Sequence, residues 1–128
     1  MSLFPTGIGA DVVSLPASEA MAAGALGNVW NDAGTAKVRN ADATTAGKEA
    51  NAFVLSAVTA GQSASVYSSG AITGLSGLTP GTRYYLSTTP GQITTTPPSA
   101  SGNVVQYVGT AHTTTVLPFE PDVGVVLE

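Results

Sequence analysis

The sequence contains no cysteine, a single histidine (His112) and few charged residues, which make up 9% of 128 positions. The lack of cysteine excludes a disulfide framework. Globular domains usually contain roughly 25% charged residues. An enzyme that works by proton transfer, nucleophilic attack or metal activation needs several converging reactive side chains. We therefore predict a protein that is not an enzyme and that takes no cofactor.

Basic residues are also scarce, and this restricts the partners. Four Lys and Arg stand against eight Asp and Glu, for a formal net charge of -4. Direct nucleic-acid binding needs clustered Lys and Arg, and the four here are scattered. The first residues lack the basic region and long apolar run of a secretory signal, and no run of about 18 apolar residues predicts a membrane span. We expect synthesis and folding in the cytoplasm, with no direct nucleic-acid or membrane partner.

The sequence motifs of catalytic, cofactor-binding and metal sites are all incomplete here. We therefore predict no catalytic, metal or cofactor-binding residue. The segment that starts at Gly7 lacks the third glycine and the preceding strand of a dinucleotide fingerprint. The segment Gly74–Leu78 lacks the final glycine of a nucleophile elbow. The turn histidine His112 has no partners of the metal-ligand type beside it in sequence. Glu120 and Asp122 lack the dense alternating oxygen ligands of a calcium loop, and we interpret them as surface charge.

What fills the chain is Thr, Ser, Gly, Ala and Val in short alternating runs, separated by turn residues. Thr88–Gln92 contains Pro-Gly, which favours a type II turn between strands at 82–88 and 92–96. Regularly spaced short strands with no long helical pattern predict an all-β fold. We expect a small β-sandwich or barrel of about seven to eight antiparallel strands, the last two forming a hairpin around residues 111–113.

The two ends of the chain are apolar and lie outside this predicted β-domain of residues 16–120. Residues 1–15 predict an extended N-terminal arm, with Leu3, Phe4 and Ile8 as candidate partner-binding residues. Residues 121–128 form an apolar C-terminal tail, and the candidates there are Val123, Val125, Val126 and Leu127. An apolar end left in water favours aggregation, so each end is expected to cover its own domain or to dock on a neighbour.

The aromatic residues favour a core first and a binding platform second. Trp30, Phe53 and Phe119 are predicted core residues. Tyr84 and Tyr85 are adjacent on one strand and point to opposite faces, so at least one of them is expected to be partly exposed. Leu78–Tyr84 resembles a tyrosine corner, in which the hydroxyl bonds back to nearby backbone.

Five segments together carry a wider resemblance: Lys37–Lys48, Ala52–Leu55, Gly77–Ser87, Gly91–Thr94 and Val104–Ala111. They resemble a recurrent β-domain of tailed-bacteriophage virion proteins, and the resemblance extends over residues 16–120. Within that group, a short free-standing chain is most similar to capsid decoration, or cement, proteins.

The resemblance implies a structural role and not a chemical one. A decoration protein of this kind binds the outer surface of the phage head in the virion and reinforces contacts between major capsid protein subunits against the pressure of the packaged DNA. It implies a homo-oligomer, a dimer or a trimer. The alternative function is a tail or head-fibre adhesion module that binds host-surface glycans through Tyr84, Tyr85 or Tyr107.

Overall fold

A computed structural model describes residues 11–128, and that part of the chain is all-β, as predicted. Its twelve short strands are β1 (Val12–Pro16), β2 (Leu26–Asp32), β3 (Thr35–Asn40), β4 (Ala52–Val54), β5 (Ser63–Tyr67), β6 (Ala71–Ile72), β7 (Arg83–Leu86), β8 (Ile93–Thr94), β9 (Val104–Val105), β10 (Tyr107–Thr110), β11 (Leu117–Pro118) and β12 (Val125–Val126). The count exceeds the predicted seven or eight because β1 and β12 lie in the predicted arm and tail, and because strands of only two residues, such as β6, are included.

Five of these strands form the main antiparallel sheet, in the order β1-β5-β4-β2-β3. Its two edges meet where Ala17, directly after β1, forms a parallel bridge with Val38 of β3. The Ser18 N–H donates to the Val38 carbonyl at 2.9 Å. The sheet is therefore a partly closed barrel, which leaves little of either edge unpaired at this end.

Three smaller sheets pack against the barrel. They have the orders β10-β7-β8, β11-β6 and β12-β9. The predicted pairing of the 82–88 and 92–96 segments is confirmed by β7 and β8. The predicted last hairpin forms only in part: β10 pairs with β7 and β11 pairs with β6, but the His112 N–H donates to the Val116 carbonyl across the predicted turn. The two segments still touch, since the Glu120 N–H donates to the Val108 carbonyl.

Strand β4 separates two hydrophobic cores. Ala52 and Val54 point into the barrel, where they pack with residues such as Met21, Val38 and Val66. Phe53 points to the other side, into a core built with the smaller sheets. That core also contains Leu26, Ile72, Tyr84, Leu86, Val104, Val108, Leu117 and Phe119. The alternation of side chains along one strand thus fixes the barrel to the smaller sheets.

Aromatic packing anchors the second core. The Phe53 ring stacks on Tyr67 with a centroid separation of 5.3 Å and meets Phe119 edge-on at 5.2 Å. Both Phe53 and Phe119 are buried, as predicted. Trp30 differs from the prediction, since it is half-buried on β2 with the Arg39 guanidinium 4.6 Å above its ring.

Two turns show how local residue types set the chain path. Gly91 has a φ of +77°, and the Gln92 N–H donates to the Thr89 carbonyl at 3.1 Å, consistent with the predicted type II turn. The first hairpin turns through Ala33 and Gly34, with φ of +53° and +93°. Positive φ at both positions matches the right-handed twist of the flanking strands, so β2 and β3 stay paired up to Asp32 and Thr35.

Candidate functional site

Five large hydrophobic side chains are strongly exposed among residues 11–128, and all belong to the terminal segments: Val12, Val13, Val123, Val125 and Val126. The interior of the chain buries its apolar residues in the two cores. Single exposed apolar residues are normal on a protein surface, whereas exposed apolar residues that are grouped together are typical of interaction surfaces. The terminal strands are therefore the candidate functional site.

The C-terminal segment is held against the body by backbone pairing. Strand β12 pairs antiparallel with β9, Val125 opposite Val105 and Val126 opposite Val104. Two further backbone bonds of 2.8 Å, from Leu127 N–H to the Asn103 carbonyl and from Gly102 N–H to the Leu127 carbonyl, extend this ladder. The tail thus covers part of its own domain.

The side chains of the tail nevertheless remain largely in solvent. Val123, Val125 and Val126 are 90%, 60% and 47% exposed, and Leu127 is half-buried. The structure therefore combines the two expectations for this end: the backbone docks on its own domain, and three apolar side chains face outward. We call Val123, Val125 and Val126 the valine strip.

A buried glutamine fixes the start of the tail. Gln106 is 2% exposed, and its Oε1 accepts a bond from the Ala50 N–H at 2.8 Å. Its Nε2 donates to the Ala50 carbonyl at 2.8 Å and to the Asp122 carbonyl at 2.9 Å. A buried amide with its bonds satisfied on two sides stabilises one arrangement of the chain. The role of Gln106 was not predicted, because a lone Gln between strands gives no local signal.

The three N-terminal candidate residues all precede residue 11, where the described part of the chain begins. Leu3, Phe4 and Ile8 lie outside the described residues. The predicted arm of residues 1–15 differs from the structure at its end, because β1 begins at Val12 and belongs to the barrel. Val12 pairs with Tyr67 and Val13 with Val66 of β5. Their backbone is fixed while their side chains remain about half exposed.

The tyrosines of the glycan hypothesis lie in different environments. Tyr84 is buried, and its hydroxyl accepts a bond from the Thr79 N–H at 3.0 Å, which confirms the predicted tyrosine corner. It therefore cannot present a ring to a ligand. Tyr85 and Tyr107 are half-buried and meet edge-to-face at 6.2 Å. The Arg83 guanidinium lies 4.4 Å above the Tyr107 ring and covers one face.

Arg83 gives this cluster of Tyr85 and Tyr107 a positive charge. Hydrogen bonding to the Tyr85 side chain, helped by the electrostatic attraction of Tyr85, Tyr107 and Asp122, raises the pKa of Arg83. Arginine is charged at all ordinary pH values before any such shift, so the Arg83 guanidinium contacts the Tyr107 ring as a cation.

Chemically reactive groups do not converge in residues 11–128. His112 is exposed, and no group of three or more His, Asp or Glu in this range is arranged to hold a metal ion. A groove of about 420 Å³ is lined by the Gly74–Leu78 loop, Tyr84, Gln92 and Ile93. Tyr84 is its one titratable side chain, and the hydroxyl is already bonded to Thr79. The same range contains no helix long and apolar enough to cross a membrane.

Comparison with known proteins adds no relative. No protein-family model matches the sequence, and no curated protein matches it significantly.

Proposed function

We propose that this chain is a structural virion protein that binds the outer surface of a phage head and reinforces contacts between major capsid protein subunits. The observation that carries the proposal is the exposure of five valines, four on the paired terminal strands β1 and β12 and one, Val123, just before β12. The sequence resemblance described above gives the class of partner. The protein acts without a cofactor and through contact alone.

The energetics suit a reinforcing role. Fully burying a valine side chain stabilises a complex by about 1.5 kcal/mol or more. Several such contacts at separate points add affinity by multivalency, without one large central interface. Because the backbone of β1 and β12 is already paired, docking the valines there costs little conformational entropy. In the proposal, Leu3, Phe4 and Ile8, which precede β1 in sequence, also contact the capsid.

The β-body holds the contacts on β1 and β12 at a fixed distance from each other. The Ala17–Val38 bridge closes the barrel, and Phe53 ties it to the smaller sheets. A load applied at β1 is therefore carried through two packed cores to β12. This differs from a flexible linker, which would hold two capsid subunits together without resisting their separation.

The test is binding to heads that lack this protein, with the position of the added chain determined by electron microscopy. The proposal expects saturable density on the outer shell and a higher temperature of head rupture. Density on the tail, or no binding, would contradict it. Analytical ultracentrifugation of the free chain measures the expected dimer or trimer.

A deletion variant tests the N-terminal segment separately. Removing residues 1–10 leaves the Asp11 carbonyl, which accepts a bond from the Ser68 N–H, and the whole of β1 in place. We expect this variant to unfold at the same urea concentration as the full chain and to lose most of its affinity for heads. Unchanged affinity would remove Leu3, Phe4 and Ile8 from the contact surface.

The glycan-adhesion alternative has less support. Tyr84 is buried, and one face of Tyr107 is covered by Arg83, so Tyr85 is left as the main ring available for stacking on a sugar. Sugar platforms depend on open aromatic faces. Binding of the isolated chain to a glycan array, lost on Tyr85→Ala, would favour this function over the capsid proposal.

A further inference from the structure

The C-terminal segment carries an unusual share of the negative charge. Glu120, Asp122 and Glu128 are three of the eight acidic residues, and they fall within the last nine positions of the sequence. From residue 84 to residue 128 there is no Lys or Arg. The valine strip therefore lies in a segment whose own charges all have one sign.

The strip and its charges sit on a fixed support. Gly124, between Val123 and Val125, lies so close to the body that a Cβ there would be 2.7 Å from Val104 Cγ1 and 3.0 Å from Glu49 Cγ. This places a fourth carboxylate side chain beside the tail. The tail is thus anchored at Gly124 and along β12, and its three valines project from that anchor into solvent.

Three cations lie close to one or another of these carboxylates, either in space or in sequence. Arg83 is close enough to Asp122 for the carboxylate to raise the pKa of the guanidinium, although hydrogen bonding to Tyr85 has the larger effect. Lys48 adjoins Glu49 in sequence, and the Arg39 guanidinium donates to the carbonyl of Gly47, whose N–H donates to the Glu49 carboxylate. Four acidic residues and three basic ones leave a surplus of one negative charge, and residues 120–128 themselves contain only acidic charges. The surface is apolar at its centre and acidic at its border.

We propose that the valine strip docks on an apolar surface bordered by Lys or Arg, and, resting on the proposed function, that this surface belongs to the capsid subunit. Charge complementarity selects this occupant. A second copy of the chain placed strip against strip would bring the two acidic borders together, and like charges across an interface oppose association. A basic border instead accelerates encounter and fixes orientation.

Two matched charge reversals test the border. Glu120→Lys changes the charge beside the strip, and Asp32→Lys makes the same change at the β2–β3 hairpin, where Asp32 pairs with Lys37 at 2.7 Å on the surface. An exposed pair of that kind contributes about 0–1 kcal/mol, so both variants should fold. At low salt we expect Glu120→Lys to bind heads about tenfold more weakly and Asp32→Lys to bind as the unaltered chain does. The difference should shrink in 0.5 M NaCl, since salt screens border charges over roughly 4–5 Å.

A third variant tests the apolar centre. Val125→Ser with Val126→Ser retains every backbone bond of β12, and urea unfolding should confirm that the fold is intact. Loss of two contact valines should weaken head binding at least about tenfold. Equal binding by this variant, or equal weakening by both charge reversals, would overturn the proposal.

The remaining outcomes are also distinct. If the unaltered chain does not bind heads, the proposed function fails and the assignment of this surface to the capsid fails with it. If the chain binds heads normally but the valine variant converts an oligomer into monomers, the strip contacts a second copy and the inference of a basic partner is wrong.

Discussion

Replacing Gln106 by methionine is expected to destabilise the whole domain, although the two side chains have similar size. The glutamine side chain makes three hydrogen bonds, two with the Ala50 backbone and one with the Asp122 carbonyl. It joins the loop before β4, the β9–β10 segment and the C-terminal tail at one buried point. Methionine fills the same space and makes none of these bonds.

The expected magnitude follows from the bonds and from what they leave behind. Three hydrogen bonds at about 1 kcal/mol each amount to about 3 kcal/mol. Ala50 is 3% exposed, so its N–H and carbonyl have no easy access to water once the glutamine is gone. Leaving such groups unsatisfied adds to the loss, and we expect a total of about 3–5 kcal/mol.

Urea unfolding followed by Trp30 fluorescence measures this change. The midpoint should fall while the slope of the free energy with urea concentration stays the same, since the fold is unchanged. Gln62→Met is the matched control. Gln62 is exposed, and its side chain makes no hydrogen bond within residues 11–128, so the same substitution there should shift stability by less than about 0.5 kcal/mol.

Hydrogen exchange distinguishes a local effect from a global one. The Leu127 N–H donates to the Asn103 carbonyl, and its protection should drop further in Gln106→Met than the global loss explains, because the tail loses its first anchor. A loss below about 1 kcal/mol, with unchanged protection at Leu127, would refute the conclusion that Gln106 ties the tail to the body.

Two further substitutions test the fold around the second core. Tyr84→Phe removes the acceptor of the Thr79 N–H and should cost about 1–2 kcal/mol in urea unfolding, whereas Tyr85→Phe on the opposite face should cost less than about 0.5 kcal/mol; equal losses would argue against the tyrosine corner. Gly109→Ala would place a Cβ against a backbone carbonyl of β11, so one strand must move, and we expect a loss of about 3 kcal/mol or more by the same measurement; an unchanged midpoint would show that β10 and β11 separate easily.

Much of the local structure was predictable because it depends on neighbouring residues. Pro90-Gly91 specifies its turn through the fixed φ of proline and the positive φ that glycine tolerates. The tyrosine corner at Tyr84 depends on a bond across five positions, to Thr79. Phe53 is buried on one side of β4 and Val54 on the other, because adjacent residues of a strand point to opposite faces.

The candidate site was predicted in part. The valine strip was found because apolar residues in a terminal segment are visible in sequence. The half-exposed Val12 and Val13 were assigned to an arm, and the structure makes them part of the barrel. The acidic border at Glu120 and Asp122 was interpreted as plain surface charge, because its relation to the valines depends on how the tail lies across β9 and Glu49.

The sequence by itself determined the secondary-structure class, the main turns and the apolar character of both ends, since these follow from residue types within a few positions of each other. Tertiary structure alone decided which strands that are distant in sequence pair with one another. The closing bridge of Ala17 with Val38, the pairing of β10 with β7 and the docking of the tail through Gln106 join residues distant in sequence. Such contacts are selected by the packing of two cores and by the need to satisfy buried polar groups, and neither constraint is contained in any short stretch of the chain.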